Sequence, residues 1–186
     1  YNEDTARLYT DIGLLTTNEV LANDVTEFFN VITGHSIPSH YQNLITAPRD
    51  MRNQLIDYIE QEAQNARNGL PAGIFIKVNS LEDSEIIYAL YRASQSGVTV
   101  KLIIRGICCL RPQRLGLSEN IEVISIVGDF LEHSRIYHFH NNGNTRTYAG
   151  SADMMVRSFD KRLESLFKIE APLLEKQLMN IISYNL

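Results

Sequence analysis

Two strand-like runs separated by one helix constrain this chain most: GIFIKVN at residues 73–79 and VTVKLIIRG at residues 98–106. Between them Ser80 with Asp83 marks a helix start, Ile86, Ile87 and Leu90 recur at a helical period, and Gly97 supplies a stop. Strand, helix and strand in that order make a βαβ unit, with parallel strands and a right-handed crossover. IEVISIV at 121–127 adds another buried strand. The stretch EHSRIYHFHNNGNTRTYAGSAD, residues 132–153, reads as a β-hairpin turning at Asn141-Asn142-Gly143-Asn144. The fold class is therefore α/β, a mixed sheet flanked by helices in a single domain over residues 1–186.

The remaining segments fit around that unit. Residues 16–33 place Thr16 and Glu19 at capping-box spacing, followed by a helical stripe of Val20, Leu21, Val25, Phe28, Phe29 and Ile32, with Gly34 as the stop. HSIPSHYQNLITAP is irregular and leads into a short strand at Tyr41–Thr46. Pro48 suits the first turn of a second helix, whose stripe is Met51, Leu55, Ile59, Ala63 and Ala66 and whose end is Gly69. A last strand is expected from Lys161 to Ile169, and a closing helix from Leu173 to Tyr184.

Charge narrows the partners. A formal net charge of −5 counts against a protein that grips nucleic acid through its overall field, while leaving room for a local basic pocket. No apolar run reaches bilayer length, and YNEDTARLYTD does not resemble a signal peptide. The chain does not begin with Met, so a cut piece of a longer protein is expected. Cys108 and Cys109 are adjacent and offer no disulfide framework, which makes a reducing, cytoplasmic setting the simplest reading.

Arg105 ends the run VKLII at the carboxyl edge of a strand expected in a parallel sheet, where ligands of open α/β sheets bind. Its planar fork suits phosphate oxygens, and Gly106 behind it permits close backbone approach; the plain alternative is a surface arginine paired with a loop carboxylate. His133 and Arg135 share one face of their strand, with His138 and His140 on the other. A histidine beside an arginine at a strand end can act as general acid or nucleophile towards phosphorus, or can be merely structural. His138 and His140 form an H-x-H pair without a nearby cysteine or carboxylate, which favours a polar outer face on an edge hairpin over a zinc site. Gly150-Ser151-Ala152-Asp153 reads as a small-residue turn opening a helix, with Ser151 as its cap and backbone N–H groups turned to an anion.

Taken together, H-x-R, a hairpin and G-S-x-D resemble the phospholipase D-like pattern of H-x-K followed by G-S-x-N, with Arg135 and Asp153 as departures. Those departures match the C-terminal region of bacterial polyphosphate kinases of the phosphohistidine-forming kind. The chain resembles that family through YNEDTARLYTD, NGLPAGIFIKVN, SGVTVKLIIRGICCL, NIEVISIVGDFLEHSRIYHF and GSADMM, ordered along nearly its whole length. The resemblance implies a pair of phospholipase D-like halves facing across one site. It also implies reversible transfer of the terminal phosphate of ATP to inorganic polyphosphate through a phosphohistidine, with Mg²⁺ as cofactor. It maps Tyr9 to the nucleotide, Arg105 to phosphate and His133 to the second-half partner of the phosphorylated histidine. Arg135 either holds His133 or extends the anion site, as an inference from position alone.

The family's phosphoacceptor lies in an H-A-K segment, and no H-A-K occurs in this sequence. The expectation is a fragment: the second catalytic half with a remnant of the first at residues 1–15, able to fold but not to turn over alone. Mg²⁺ is then bound mainly by parts outside it. The closing helix ends early, at SYNL. The implied partners are ATP or ADP and polyphosphate, with no nucleic acid. The full-length enzyme is expected to be a homo-oligomer, cytoplasmic, with room for peripheral membrane association. The competing readings are a phospholipase D-like phosphodiesterase and a non-catalytic polyphosphate- or nucleotide-binding module.

Overall fold

The computed structural model describes residues 2–36 and 40–184. Residues 37–39, within the stretch expected to be irregular, lie outside the described residues. The chain begins with α1 (Glu3–Ala6), β1 (Tyr9–Thr10), α2 (Glu19–Ile32), β2 (Leu44–Ala47) and α3 (Met51–Arg67). The βαβ unit follows as β3 (Gly73–Val78), α4 (Ser84–Gln95) and β4 (Thr99–Ile104). Then come β5 (Ile121–Ile124), β6 (Leu131–Glu132), β7 (Ile136–Phe139), β8 (Arg146–Gly150), α5 (Val156–Asp160), β9 (Glu164–Lys168) and α6 (Pro172–Tyr184).

A 7-stranded sheet runs in the order β2-β9-β8-β7-β3-β4-β5, and β1 pairs with β6 in a separate 2-stranded patch. β3, β4 and β5 are parallel, as the βαβ reading requires, and the strands from β7 to β2 are antiparallel. One face of β3 sends Ile74, Ile76 and Val78 into a core shared with Leu55 and Ile59 of α3 and Ile86 and Leu90 of α4. On the other face Ile103, Ile136 and Ala149 pack against Leu178 and Ile182 of α6. The stripes read from α3 and α4 are thus the buried faces of the helices that cover one side of the sheet.

Several boundaries differ from the sequence reading, each for a local reason. α2 is capped by Asn18, whose side chain accepts the Leu21 N–H at 3.0 Å, while Thr16 only accepts the Asn18 N–H. Asn and Thr both cap well, and Asn18 stands in the correct position for the first turn. Only Leu21 of the α2 stripe is buried, packing on Tyr41 and Leu44; Val20, Val25, Phe29 and Ile32 are exposed. Pro48 is outside α3, in a turn after a cis Ala47–Pro48 bond, and Met51 opens that helix. Asp83 alone caps α4, accepting the Ile86 N–H at 3.1 Å.

Two corrections bear on chemistry. The hairpin β7–β8 is not at an edge, because β3 and β9 flank it. His138 is consequently buried rather than on a polar outer face: its Nδ1 stands 2.8 Å from Thr147 Oγ1, which donates to Glu175 Oε1 at 2.7 Å. G-S-x-D does not open a helix either. Ser151 Oγ accepts the Ser165 N–H across to β9, Asp153 turns inward, and the five-residue α5 starts only at Val156, after Met155. The anion site expected at that helix start falls with it.

Candidate functional site

Parallel pairing of Val78 with Ile104 brings the next residues of both strands, Asn79 and Arg105, out side by side at the carboxyl edge. Arg105 Nε donates to Asn79 Oδ1 at 3.0 Å. That leaves the two terminal nitrogens of the guanidinium as the fork for an anion; among the described residues, Asn79 is the side chain that hydrogen-bonds Arg105. Gly106 N–H donates to Asn79 O at 2.7 Å, and a Cβ on Gly106 would stand 3.0 Å from that oxygen. The glycine therefore lets the backbone fold over Asn79 and fixes the direction in which Arg105 leaves the strand.

Asn79 reaches the rest of the site through its other groups. Its backbone N–H donates to Asp153 Oδ1 at 2.7 Å, and its side-chain amide donates to His133 O at 3.4 Å. Asp153 is also bound by Arg135, Nε to Oδ1 at 3.2 Å and Nη2 to Oδ2 at 3.1 Å. Both side chains of that pair are about a tenth exposed, 11% and 10%. Arg135 Nη1 donates to His133 O at 3.1 Å. All three guanidinium nitrogens of Arg135 are thus committed to Asp153 and His133, so its contacts fit the holding role and not an extension of the anion site.

His133 sits in the connection from β6 to β7. Its backbone N–H donates to Thr10 O at 3.0 Å, continuing the pairing of Thr10 with Glu132. That pairing brings β1 and the residue after it alongside: Asp11 Oδ2 is 2.9 Å from His133 Nδ1. An ionised carboxylate only accepts, so the proton of the neutral ring belongs on Nδ1 and the lone pair on Nε2. Arg135 Nη1, at 3.3 Å from Nδ1, brings only N–H hydrogens to that atom, and its acceptor is the His133 carbonyl. Tyr9 meets the imidazole edge to face, 4.9 Å between centroids at 68°. An open cleft lined by Asn2, Thr5, Tyr9 and His133 lies over this pair.

The structure thus gathers Tyr9, Arg105, His133 and Arg135 around Asn79, Asp11 and Asp153. It leaves His138, His140, Ser151 and the two cysteines elsewhere. Burial pushes the His138 imidazole below its ordinary pKa, with Glu175 opposing, and pushes the Cys108 thiol up. Asp11 and Asn79 are the site residues missed in the sequence. Asn79 was within reach, since it ends the strand parallel to the one Arg105 ends. Asp11 stood in the stretch YNEDTARLYTD, but its pairing with His133, 122 residues away, left no local signal.

Residues 44–186 match the family described as Polyphosphate kinase C-terminal domain 2, and residues 1–38 match Polyphosphate kinase C-terminal domain 1. The chain is 50% identical over 186 residues to a polyphosphate kinase of Staphylococcus haemolyticus, covering 100% of this chain and 26% of that protein. Against a polyphosphate kinase of Synechocystis it is 50% identical over 182 residues, 98% of this chain and 25% of that one. The crystal structure of polyphosphate kinase from Porphyromonas gingivalis superposes with a TM-score of 0.93 at 38% identity, over 98% of this chain and 28% of that one. A phospholipase D family member, Nuc from Salmonella typhimurium, shares the fold with a TM-score of 0.55 at 15% identity, over 76% and 91%. The chain spans about a quarter of the length of the curated relatives it matches.

Proposed function

Since the chain belongs to the polyphosphate kinase family, we propose that it supplies one side of a site in which the terminal phosphate of ATP passes reversibly to polyphosphate. In this reading the phosphoryl group moves first from ADP oxygen to a histidine nitrogen, breaking a P–O and forming a P–N bond. It then moves from that nitrogen to the terminal oxygen of polyphosphate. The accepting histidine belongs to an H-A-K segment that this sequence does not contain, so this chain alone does not turn over.

The observation that carries the reading is Arg105 standing beside Asn79, which in turn bonds the His133 carbonyl at the sheet's carboxyl edge. Phosphoryl transfer needs charge compensation and alignment more than covalent machinery. Arg105 binds and neutralises the equatorial oxygens of the transferring group. His133, with Nδ1 held by Asp11, exchanges a proton at Nε2 with the leaving or attacking oxygen. Tyr9 lines the cleft as the nucleotide-side residue. Arg135 keeps the His133 carbonyl in place.

Mg²⁺ enters the reading only through the family. The described residues hold no group of three or more His, Cys, Asp or Glu that could cage a metal, and Asp11, Asp153 and Glu132 already face His133, Arg135 and Lys77. In this reading Mg²⁺ is held mainly by parts of the enzyme outside this chain together with the substrate phosphates, and no step here runs through it. A cytoplasmic setting, homo-oligomerisation and membrane-surface contact belong equally to the proposal; no described helix is long and apolar enough to cross a membrane. A phosphodiesterase reading is supported by fold likeness alone.

The test is transfer of labelled phosphate from ATP to polyphosphate by the full-length enzyme carrying His133→Ala. The expected result is a fall in kcat of about 100-fold or more, the usual worth of a positioned proton donor. Undiminished kcat would remove His133 from the reaction.

A further inference from the structure

β3 turns Ile74, Ile76 and Val78 towards one core, so Phe75 and Lys77 face the other side of the sheet. Phe75 joins the apolar cluster there, but Lys77 places an ammonium in it with 2% of the residue exposed. Removing a cation from water costs several kcal/mol unless it is paired and hydrogen-bonded. Lys77 meets that condition in full. Its three N–H bonds face Ser134 Oγ at 2.8 Å, Ser134 O at 3.2 Å and Glu132 Oε2 at 3.2 Å. Burial still lowers its pKa, with Glu132 opposing that shift. A methionine would fill the same volume without that cost, so packing alone does not account for a lysine here.

All three acceptors belong to the residues immediately before and after His133. That segment is also tied to β1, Asp11, Tyr9, Asn79 and Arg135. Among the described residues, β6 pairs with β1 over two residues on each side. Beyond that ladder, the backbone of residues 132–134 is held at Thr10 O and at the His133 carbonyl by Asn79 and Arg135. Glu132 pairs with Thr10, the residue between Tyr9 and Asp11. The lysine therefore ties the sheet's interior to β6 directly and to β1 through the Thr10–Glu132 pairing.

We propose that Lys77 is a positioning residue for His133: its ammonium clamps the residues on both sides of the histidine and so sets the imidazole against Asp11 and Tyr9. Lys77 touches neither substrate nor reacting atoms in this arrangement and acts through its neighbours. The inference deepens the proposed reaction and rests on His133 being its proton-exchanging group.

The test reads the His133 ring by NMR of the 186-residue chain labelled with ¹⁵N-histidine, the signals being assigned with His133→Gln. In the unsubstituted chain the neutral ring is expected as the Nδ1–H tautomer, its carbon-bound protons displaced by the Tyr9 ring. In Lys77→Met the tautomers are expected to mix and most of the ring-current displacement to vanish, while the His138 signals stay unchanged. Lys77→Met combined with Glu132→Gln removes both charges and takes the place of the single variant should that variant not fold. Unchanged His133 tautomer and ring shifts in a folded variant overturn the proposal. So does failure of both variants to fold, which would make Lys77 a stability residue. In the full-length enzyme, Lys77→Met is expected to lower kcat at least tenfold and leave KM for polyphosphate nearly unchanged; a raised KM at full kcat also overturns it. Turnover retained by His133→Ala would bear on the reaction alone, separately from these ring signals.

Discussion

At the scale of single residues, the site depends on close backbone approaches that side-chain chemistry alone does not reveal. Gly150 pairs with Leu166 across β8 and β9, and a Cβ placed on it would stand 2.1 Å from Ser165 O and 2.8 Å from Leu166 Cα. Both atoms are backbone, so the strands would have to part. Gly150→Ala is expected to destabilise the chain by ~2 kcal/mol or more, read as a lower urea midpoint with an unchanged slope. An unchanged midpoint would mean that the two strands sit further apart than described. Gly150 stood in the sequence as part of G-S-x-D and was legible as a glycine that matters, but for the wrong reason. A helix start and a crowded strand pair leave the same letters, and only the partner strand tells them apart. The place of Arg105 was legible because it depends on the end of one strand. Arg135 was half legible: its place beside His133 followed from alternation, whereas its bond to Asp153 depended on where the far end of the hairpin returns.

At the scale of elements, β3–α4–β4 and the β7–β8 hairpin were readable because each is local: apolar periods, a cap and a turn lie within one stretch of sequence. The pairing of β1 with β6 was not, since two residues per strand leave no period to detect. α6 shows how an element's docking can depend on a polar contact within an apolar face. His138 Nδ1 bonds Thr147 Oγ1, whose own hydrogen goes to Glu175 of α6. Burial holds the His138 pKa below its ordinary value, so in the folded chain the ring resists protonation that the unfolded chain accepts. Stability from this group is fully present above the unfolded pKa of about 6.5 and is lost as pH falls from there through the depressed folded value. The expected observation is an unfolding free energy that declines with falling pH below about 6.5, with a shallower slope in His138→Gln. Equal slopes in the two chains would show that His138 is not the group titrating.

At the scale of the molecule, the sheet is covered on one face by α3 and α4 and on the other by α6, while α2 covers little. Val25, Phe29 and Ile32 leave apolar side chains of α2 exposed on one face, beside the buried Leu21, Phe29 at 60% exposure. Such a face favours association in water. Phe29→Glu with Ile32→Glu is expected to reduce concentration-dependent self-association in sedimentation without changing the far-UV circular dichroism. Equal sedimentation of both chains would show that the face is inert.

At the same scale, the proposed function has this chain present an anion fork and a proton-exchanging histidine but not the phosphorylated one. Calorimetric titration of polyphosphate into the chain and into its Arg105→Ala variant tests it most directly, with the same samples incubated with γ-labelled ATP. The expected result is binding that weakens about tenfold or more in the variant, as for loss of a charge-assisted bond, and no acid-labile label on either chain. Binding unaffected by the substitution, or acid-labile label on this chain, would contradict it.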